Sequence, residues 1–378
     1  MMKPYLKRAW AEVSLPQLRK NLEIVRSLNS SSTDIMAVVK ADAYGHGDEH
    51  IIRTLHECGI KYFAVSNLDE AIAVRKFCAD AEILILGYTP PEYAHETAMY
   101  NIIQGVVSMD YAIALSKNTP EPLRCHIKID TGMGRIGLKY DSCEDCASEI
   151  LRIMQTDKIS VEGIYTHFAS ADSDSPEDIA YSDAQEKFIL DTYDILVKLG
   201  IKLPHIHFMN SAATCYRNSP KSTLSRAGII LYGLHPDRKL AVPDGIEPVM
   251  ELKAVISQVK TVESGTCISY GRTFITEKNM RIATITIGYA DGYSRLLSSK
   301  GEILVHGKRC RIIGRVCMDQ LMIDVSDVPE AESGDIVTLI GRDGDDIITA
   351  DDIAEICGTI GYEIVCGISK RVPRIYIN

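Results

Sequence analysis

Up to residue 242 the chain alternates short apolar, β-branched runs with segments whose apolar residues fall at helical spacing. The runs lie at 35–40, 62–66, 83–87, 102–107, 124–130, 161–167, 205–210 and 228–232. In the segment 15–28, Leu15, Leu18, Leu22, Val25 and Leu28 mark one helical face. Continuously apolar strands that alternate with amphipathic helices are parallel strands buried on both sides. Eight such units predict a (β/α)8 TIM-like barrel; a doubly wound open sheet is the other arrangement of the same pattern. At 241–248 a Pro/Gly break without helical periodicity interrupts the alternation. Beyond it, alternating stretches at 252–262, 281–287 and 309–316, separated by Gly-rich turns, predict a mostly β, antiparallel domain. Thr349 stands where it would cap one short helix over 350–357. The expected division is a barrel over 1–242 and a C-terminal β-domain over 243–378.

Composition narrows the function classes. A chain of 378 residues exceeds the usual size of one core, and 46% hydrophobic with 24% charged residues is ordinary for a folded globular protein. The net charge of −10 argues against a nucleic-acid or anionic-membrane surface. Eleven cysteines are scattered, odd in number, and often sit in apolar runs such as 309–313, as free thiols in a reducing compartment do. Cys143 and Cys146 make a single C-x-x-C with no second pair at metal spacing, so no metal is expected. No apolar run could span a bilayer, and the N-terminus lacks an apolar leader segment. The expected location is the cytoplasm, for a free enzyme or for the cytosolic domain of a longer membrane protein.

The chemistry-bearing residues fall at strand ends. Lys40 closes the first run, in Ala37-Val38-Val39-Lys40-Ala41-Asp42-Ala43-Tyr44-Gly45. Burial lowers a lysine pKa, and a neutral amine attacks carbonyl groups; a strand-end lysine that only snorkels to water is the ordinary alternative. Lys128 and Asp130 end the fifth run and His167 the sixth; Asn210 and Ser211 end the seventh, and Arg226 enters the eighth. Each alone reads as a satisfied core residue or a turn. Their convergence on the C-terminal rim, where barrel chemistry resides, is the functional signal.

The segments AVVKADAYGHG, KIDTGMGRIG, THFASAD, NSAAT, RAGIILYG, SYGRTF, IGYADGY, GRVCMDQ and RVPR occur in this order between residues 37 and 374. Together they resemble the alanine racemases, pyridoxal 5′-phosphate (PLP) enzymes built from a barrel and a β-domain. The resemblance implies interconversion of L- and D-alanine for peptidoglycan, with Lys40 holding PLP as a Schiff base. It implies two bases, Lys40 and Tyr270, on opposite faces of the substrate carbon, with His167 hydrogen-bonded to Tyr270 and His207 as a further relay. Arg226 would meet the pyridine nitrogen; because a guanidinium does not readily give up its proton, the ring would stay a weak electron sink. Tyr44, Ser211, Gly228, Ile229 and Tyr362 match the phosphate-binding set. Arg135 matches the residue near the substrate carboxylate, and Lys128 a lysine, carbamylated in many relatives, that orients it. Met318, Asp319 and Tyr362 match the substrate pocket.

In that family Tyr270, Met318 and Asp319 come from the partner subunit, which implies a homodimer with composite sites. One departure is Lys370, where the family often has tyrosine before Arg-Val-Pro-Arg. Tyr362 narrows the pocket toward a methyl side chain, favouring alanine over serine. Other readings are the serine/alanine racemase domain of a membrane-bound glycopeptide-resistance enzyme and a non-enzymatic PLP carrier, which resembles the barrel half alone. Basic amino-acid decarboxylases share the fold, but their catalytic-cysteine segment has no match here.

Overall fold

In the computed structural model, which describes residues 8–217, 219–238 and 240–378, the chain opens with strand β1 (Ala9–Ser14). Ser14 ends this strand and caps helix α1 (Leu15–Leu28). Its hydroxyl accepts the Gln17 N–H, and Pro16 stands where no N–H is needed. The helix has its predicted span, and Leu15, Leu18, Leu22 and Val25 are buried as the spacing requires.

Eight parallel strands follow: β2 (Asp34–Val38), β3 (Tyr62–Val65), β4 (Glu82–Ile85), β5 (Ile103–Val106), β6 (Leu123–Lys128), β7 (Ile159–Tyr165), β8 (His205–His207) and β9 (Leu224–Ala227). Each pairs with the next from β2 to β8, and β9 pairs with β2. The Thr223 N–H to Ile206 O (2.8 Å) and the Arg226 N–H to Met209 O (3.1 Å) join β8 to β9. The predicted barrel is the observed one, and its strands are apolar on both sides for the reason the pattern suggested.

The eighth strand is displaced from its predicted place. It is formed by Leu224–Ala227, in register with Asp34–Ala37, whereas Ile229–Tyr232 coil into a 3-10 helix. The apolar run at 228–232 reflects burial of another kind: Asn21 of α1 donates to Leu231 O (3.0 Å), and the Tyr232 hydroxyl donates to Val38 O (3.1 Å). The true strand hides its apolar pattern because it is short and its two central residues, Ser225 and Arg226, are polar yet buried.

The second sheet is organised by β10 (Met250–Val262), whose first half alternates buried and half-buried residues. Its edges pair with Ile336–Asp343 and Met280–Ile285, both antiparallel. Strand β1 also belongs here, antiparallel to Met250–Ala254 and parallel to the C-terminal strand Arg374–Ile377. Thr349 caps the helix Ala350–Cys357, its hydroxyl accepting the Asp352 N–H. A further helix, Gly361–Gly367, carries Tyr362. All eleven cysteines are free. Among the described residues no helix is long and apolar enough to cross a membrane.

Leu22 is fully buried where α1 meets the core. Leu22→Ala is expected to lower stability by about 3 kcal/mol, read as an earlier midpoint in chemical unfolding.

Candidate active site

The backbone after β2 is unusual. Ala41, Asp42, Ala43 and Tyr44 have φ of 54°, 55°, 52° and 54°, one turn of left-handed helix without a glycine. Such residues cost about 1–2 kcal/mol each, so the turn persists only because its surroundings over-determine it. Within the turn, Ala43 N–H donates to Val39 O (3.1 Å) and Gly45 N–H to Ala41 O (2.9 Å). Glu70 grips one side, accepting the N–H groups of Ala41 and Ser66, each at 2.8 Å. His46 Nδ1 bonds the carbonyls of Ala43 (3.1 Å) and Tyr44 (3.0 Å). From the C-terminal strand, Arg374 Nε donates to Gly45 O (2.9 Å) and the Tyr376 hydroxyl to His46 O (3.2 Å). Gly45 has φ +80°, and a Cβ there would run into the Val365 carbonyl.

This turn sets Lys40 at the rim of a cavity of about 510 Å³ at the C-terminal end of the barrel. Lys128, Arg135, His167 and Arg226 share that cavity. So do Tyr44, Ser211, Gly228, Ile229 and Tyr362. Burial, reinforced by Arg135, pushes the Lys40 amine below the usual lysine range. Gly228 N–H donates to Ser211 Oγ (2.9 Å), and a Cβ on Gly228 would lie 2.7 Å from the Tyr44 hydroxyl. Backbone and two hydroxyls therefore converge on one corner that only glycine leaves open. Tyr362 meets Tyr44 edge-on, ring centres 6.2 Å apart. Asp130 accepts the N–H groups of Gly132 (3.1 Å) and Gly134 (3.0 Å), shaping the loop that carries Arg135.

Arg226 is buried without a carboxylate partner. Its Nη1 donates to His207 Nδ1 (3.0 Å) and His207 O (3.1 Å), and its Nη2 to Thr166 O (2.7 Å) and His167 Nδ1 (3.3 Å). A guanidinium has only donors, so both Nδ1 atoms accept. His207 must then carry its proton on Nε2, which donates to His126 Nδ1 at 2.9 Å. Burial, and then the Arg226 charge, push His167 and His207 well below the usual histidine range, keeping both neutral. Burial lowers Arg226 itself to about 10, which still leaves it charged at neutral pH. Burial, and then Arg226, push Lys128 down to about 7. Its Nζ donates to Ile129 O (2.8 Å).

Tyr270, Met318 and Asp319 lie apart from this cavity. With Ser269, Cys317 and Gln320 they line a separate, open depression on the β-domain. Tyr270 is 70% exposed and Met318 52% exposed. Within one chain the Nδ1 partner of His167 is Arg226 rather than Tyr270, and His207 sits beneath the cavity instead of lining it. Three contributors went unnoticed in the sequence. Tyr165 stacks on His207 with planes 2° apart, under the Arg226 and Lys128 cations. His126 extends the imidazole chain, and Glu70 holds the lysine turn. Tyr165 had a signal: it ends β7 and stands two residues before His167.

A deep cavity at a barrel rim, lined by a depressed lysine and an uncompensated arginine, with a β-domain bearing an exposed tyrosine, is a specific combination. Residues 13–236 match the model of the alanine racemase N-terminal domain and residues 249–376 that of the C-terminal domain. Alanine racemase 1 of Clostridium acetobutylicum is 41% identical over 99% of this chain and 96% of its own length. Alanine racemase of Desulfovibrio desulfuricans is 42% identical over 98% of each. The crystal structure of alanine racemase from Bacillus anthracis with bound L-Ala-P superimposes with a TM-score of 0.92. It has 37% identity and covers 100% of this chain and 96% of that one. That from E. faecalis gives 0.91 at 34% identity, covering all of both chains. The chain belongs to the alanine racemase family.

The buried Lys128 amine makes a signed pH prediction. Its folded pKa, about 7, lies below the ordinary 10.5 of a free lysine. Between those values the unfolded chain binds the proton more readily, so this group costs stability as pH falls through that window. The stability of Lys128→Met relative to wild type is expected to grow from about pH 10 down to about pH 7 and then level off, measured by paired unfolding curves.

Proposed function

We propose that this protein is a PLP-dependent racemase interconverting L- and D-alanine, with Lys40 and Tyr270 as its two bases and D-alanine for peptidoglycan as its product. The observation that carries the reading is a depressed amine and a carboxylate-free arginine facing one rim cavity. The corner formed by Gly228, Ser211 and Tyr44 fits a phosphate: a Cβ would fill it, and backbone and hydroxyl groups line it. Ile229 and Tyr362 would complete that end. When bound, PLP supplies an electron-withdrawing ring that makes the substrate Cα–H acidic.

The chain's own groups do the rest. Lys40 Nζ would hold the cofactor aldehyde in the resting enzyme and, as a free neutral amine, carry the Cα proton on one face. Arg226 would donate to the pyridine nitrogen, and its fixed positive charge keeps that nitrogen unprotonated. Its contacts to His167 and His207 hold the guanidinium in place. Arg135 would pair with the substrate carboxylate, and Lys128, carbamylated as its low pKa permits, would orient Arg135. The Tyr270 phenol would serve the opposite face, assisted by His167.

Tyr270, Met318 and Asp319 are exposed and apart from Lys40 on the same chain, which suits a homodimer whose partner completes each cavity. The carrier reading is not favoured, because the family match extends over 249–376 as well as the barrel.

Two experiments test the proposal. PLP added to the purified protein is expected to give a visible absorbance band that Lys40→Ala lacks, and Tyr270→Phe is expected to keep the band while losing at least about 100-fold in racemisation. A colourless wild-type protein, or a fully active Tyr270→Phe, would sink it. Tyr362 is expected to make kcat/KM several-fold higher for alanine than for serine; equal values would point to the serine/alanine reading.

A further inference from the structure

We propose that Asp291 is a positioning residue for the substrate pocket, acting through Arg8 and Arg371 on the Met318–Asp319 loop and therefore on the partner subunit's site. The inference rests on the composite-site reading above.

Asp291 is a carboxylate with no exposed side-chain surface. A buried charge has to be paired, and this one has two arginines. Arg8 grips it with both nitrogens, at 2.9 and 2.8 Å. Arg371 Nε lies 3.6 Å from Oδ1, the oxygen that Arg8 Nη1 also meets. The Gly288 N–H donates to it at 3.0 Å. Both arginines then reach beyond the carboxylate to the same residue. Arg371 Nη2 donates to Asp319 Oδ1 (2.8 Å), and Arg8 Nη2 donates to Asp319 O (3.0 Å). Asp319 is thus held at side chain and backbone by cations whose geometry is fixed from beneath.

The main chain repeats the arrangement. Tyr289 N–H donates to Cys317 O and Ala290 N–H to Met318 O, each at 3.0 Å. Gly288 packs so closely on the Cys317–Met318 backbone that a Cβ has no space there. On the other side, Ser369 N–H donates to Asp291 O at 3.0 Å. The short turn around Asp291 is therefore clamped between the loop bearing Met318 and the segment that follows Tyr362.

Nothing in this cluster touches the cavity that holds Lys40 of the same chain. Its route to chemistry is through Met318 and Asp319, which line an open depression together with Tyr270. Asp291→Asn keeps an acceptor for Gly288 but removes the charge that orients both arginines. Loosening a group that shapes the pocket without moving a proton is expected to raise KM for alanine by about five- to tenfold, with kcat within about twofold.

The decisive measurement uses PLP-loaded hybrid dimers, co-expressed with two tags and purified by both. In the hybrid of Lys40→Ala with Asp291→Asn, the one live lysine is completed by an intact Asp319 loop, so KM should equal that of wild type. In the hybrid of wild type with the double variant Lys40→Ala/Asp291→Asn, the live lysine is completed by the loosened loop, so KM should rise. The reverse assignment, or an unchanged KM in the Asp291→Asn homodimer, would overturn the proposal. Should Asp291→Asn not fold, Arg371→Gln, which releases the Asp319 side chain and leaves the Arg8–Asp291 pair intact, is run through the same two hybrids with the same expectations. A hybrid of Lys40→Ala with Tyr270→Phe separates the underlying reading. If that hybrid is inactive, composite sites are wrong and the proposal falls with them; if it is active, the KM assignments judge Asp291 alone.

Discussion

Four left-handed residues after Lys40 are the constraint to which the rest of the molecule is fitted. No glycine relieves the turn, so its conformation is maintained by contacts from outside: Glu70 from the barrel, and Arg374 and Tyr376 from the C-terminal strand. The second domain is for this reason part of the barrel's chemistry as well as a neighbour. It closes the back of the lysine turn, supplies Tyr362 to the cavity, and borrows β1 from the start of the chain.

Electrostatics beneath the cavity follow one rule, that positive charge is left without a carboxylate. Arg226 finds carbonyls and neutral imidazoles instead. Burial first, and the Arg226 charge second, suppress protonation of His167, His207 and Lys128. A site of this kind keeps its imidazoles neutral, weakens the hold of its amines on their protons and remains attractive to anions. Phosphate and carboxylate are the anions that an amino-acid enzyme using PLP must hold.

Much of this was legible in the sequence, and what was not has physical causes. The alternation of apolar runs located seven barrel strands, and the span of α1 and the Thr349 cap came directly from spacing and capping chemistry. The eighth strand was misplaced because apolar residues packed under a helix look the same as apolar residues in a ladder. Strand β1 carries no local mark of its sheet, since its partners lie near residues 250 and 375. The left-handed turn was invisible because Ala, Asp, Ala and Tyr are unremarkable for right-handed helix. Lys40, Arg226 and His167 were legible as strand-end polar residues, whereas Tyr165 and His126 were concealed among apolar neighbours whose burial they share. The separation of Tyr270 from Lys40 on one chain is a property of three-dimensional arrangement that the motif order does not encode.

The Arg374–Gly45 bond joins positions 329 residues apart. During synthesis the whole barrel emerges from the ribosome before the clamp on its own reactive loop exists. Long-range closure of this kind delays completion relative to local helix and strand formation. Support of the left-handed turn is accordingly a late event in the life of the nascent polypeptide, and a product that stopped before Arg374 would possess a barrel whose turn after Lys40 has lost two of its outside contacts.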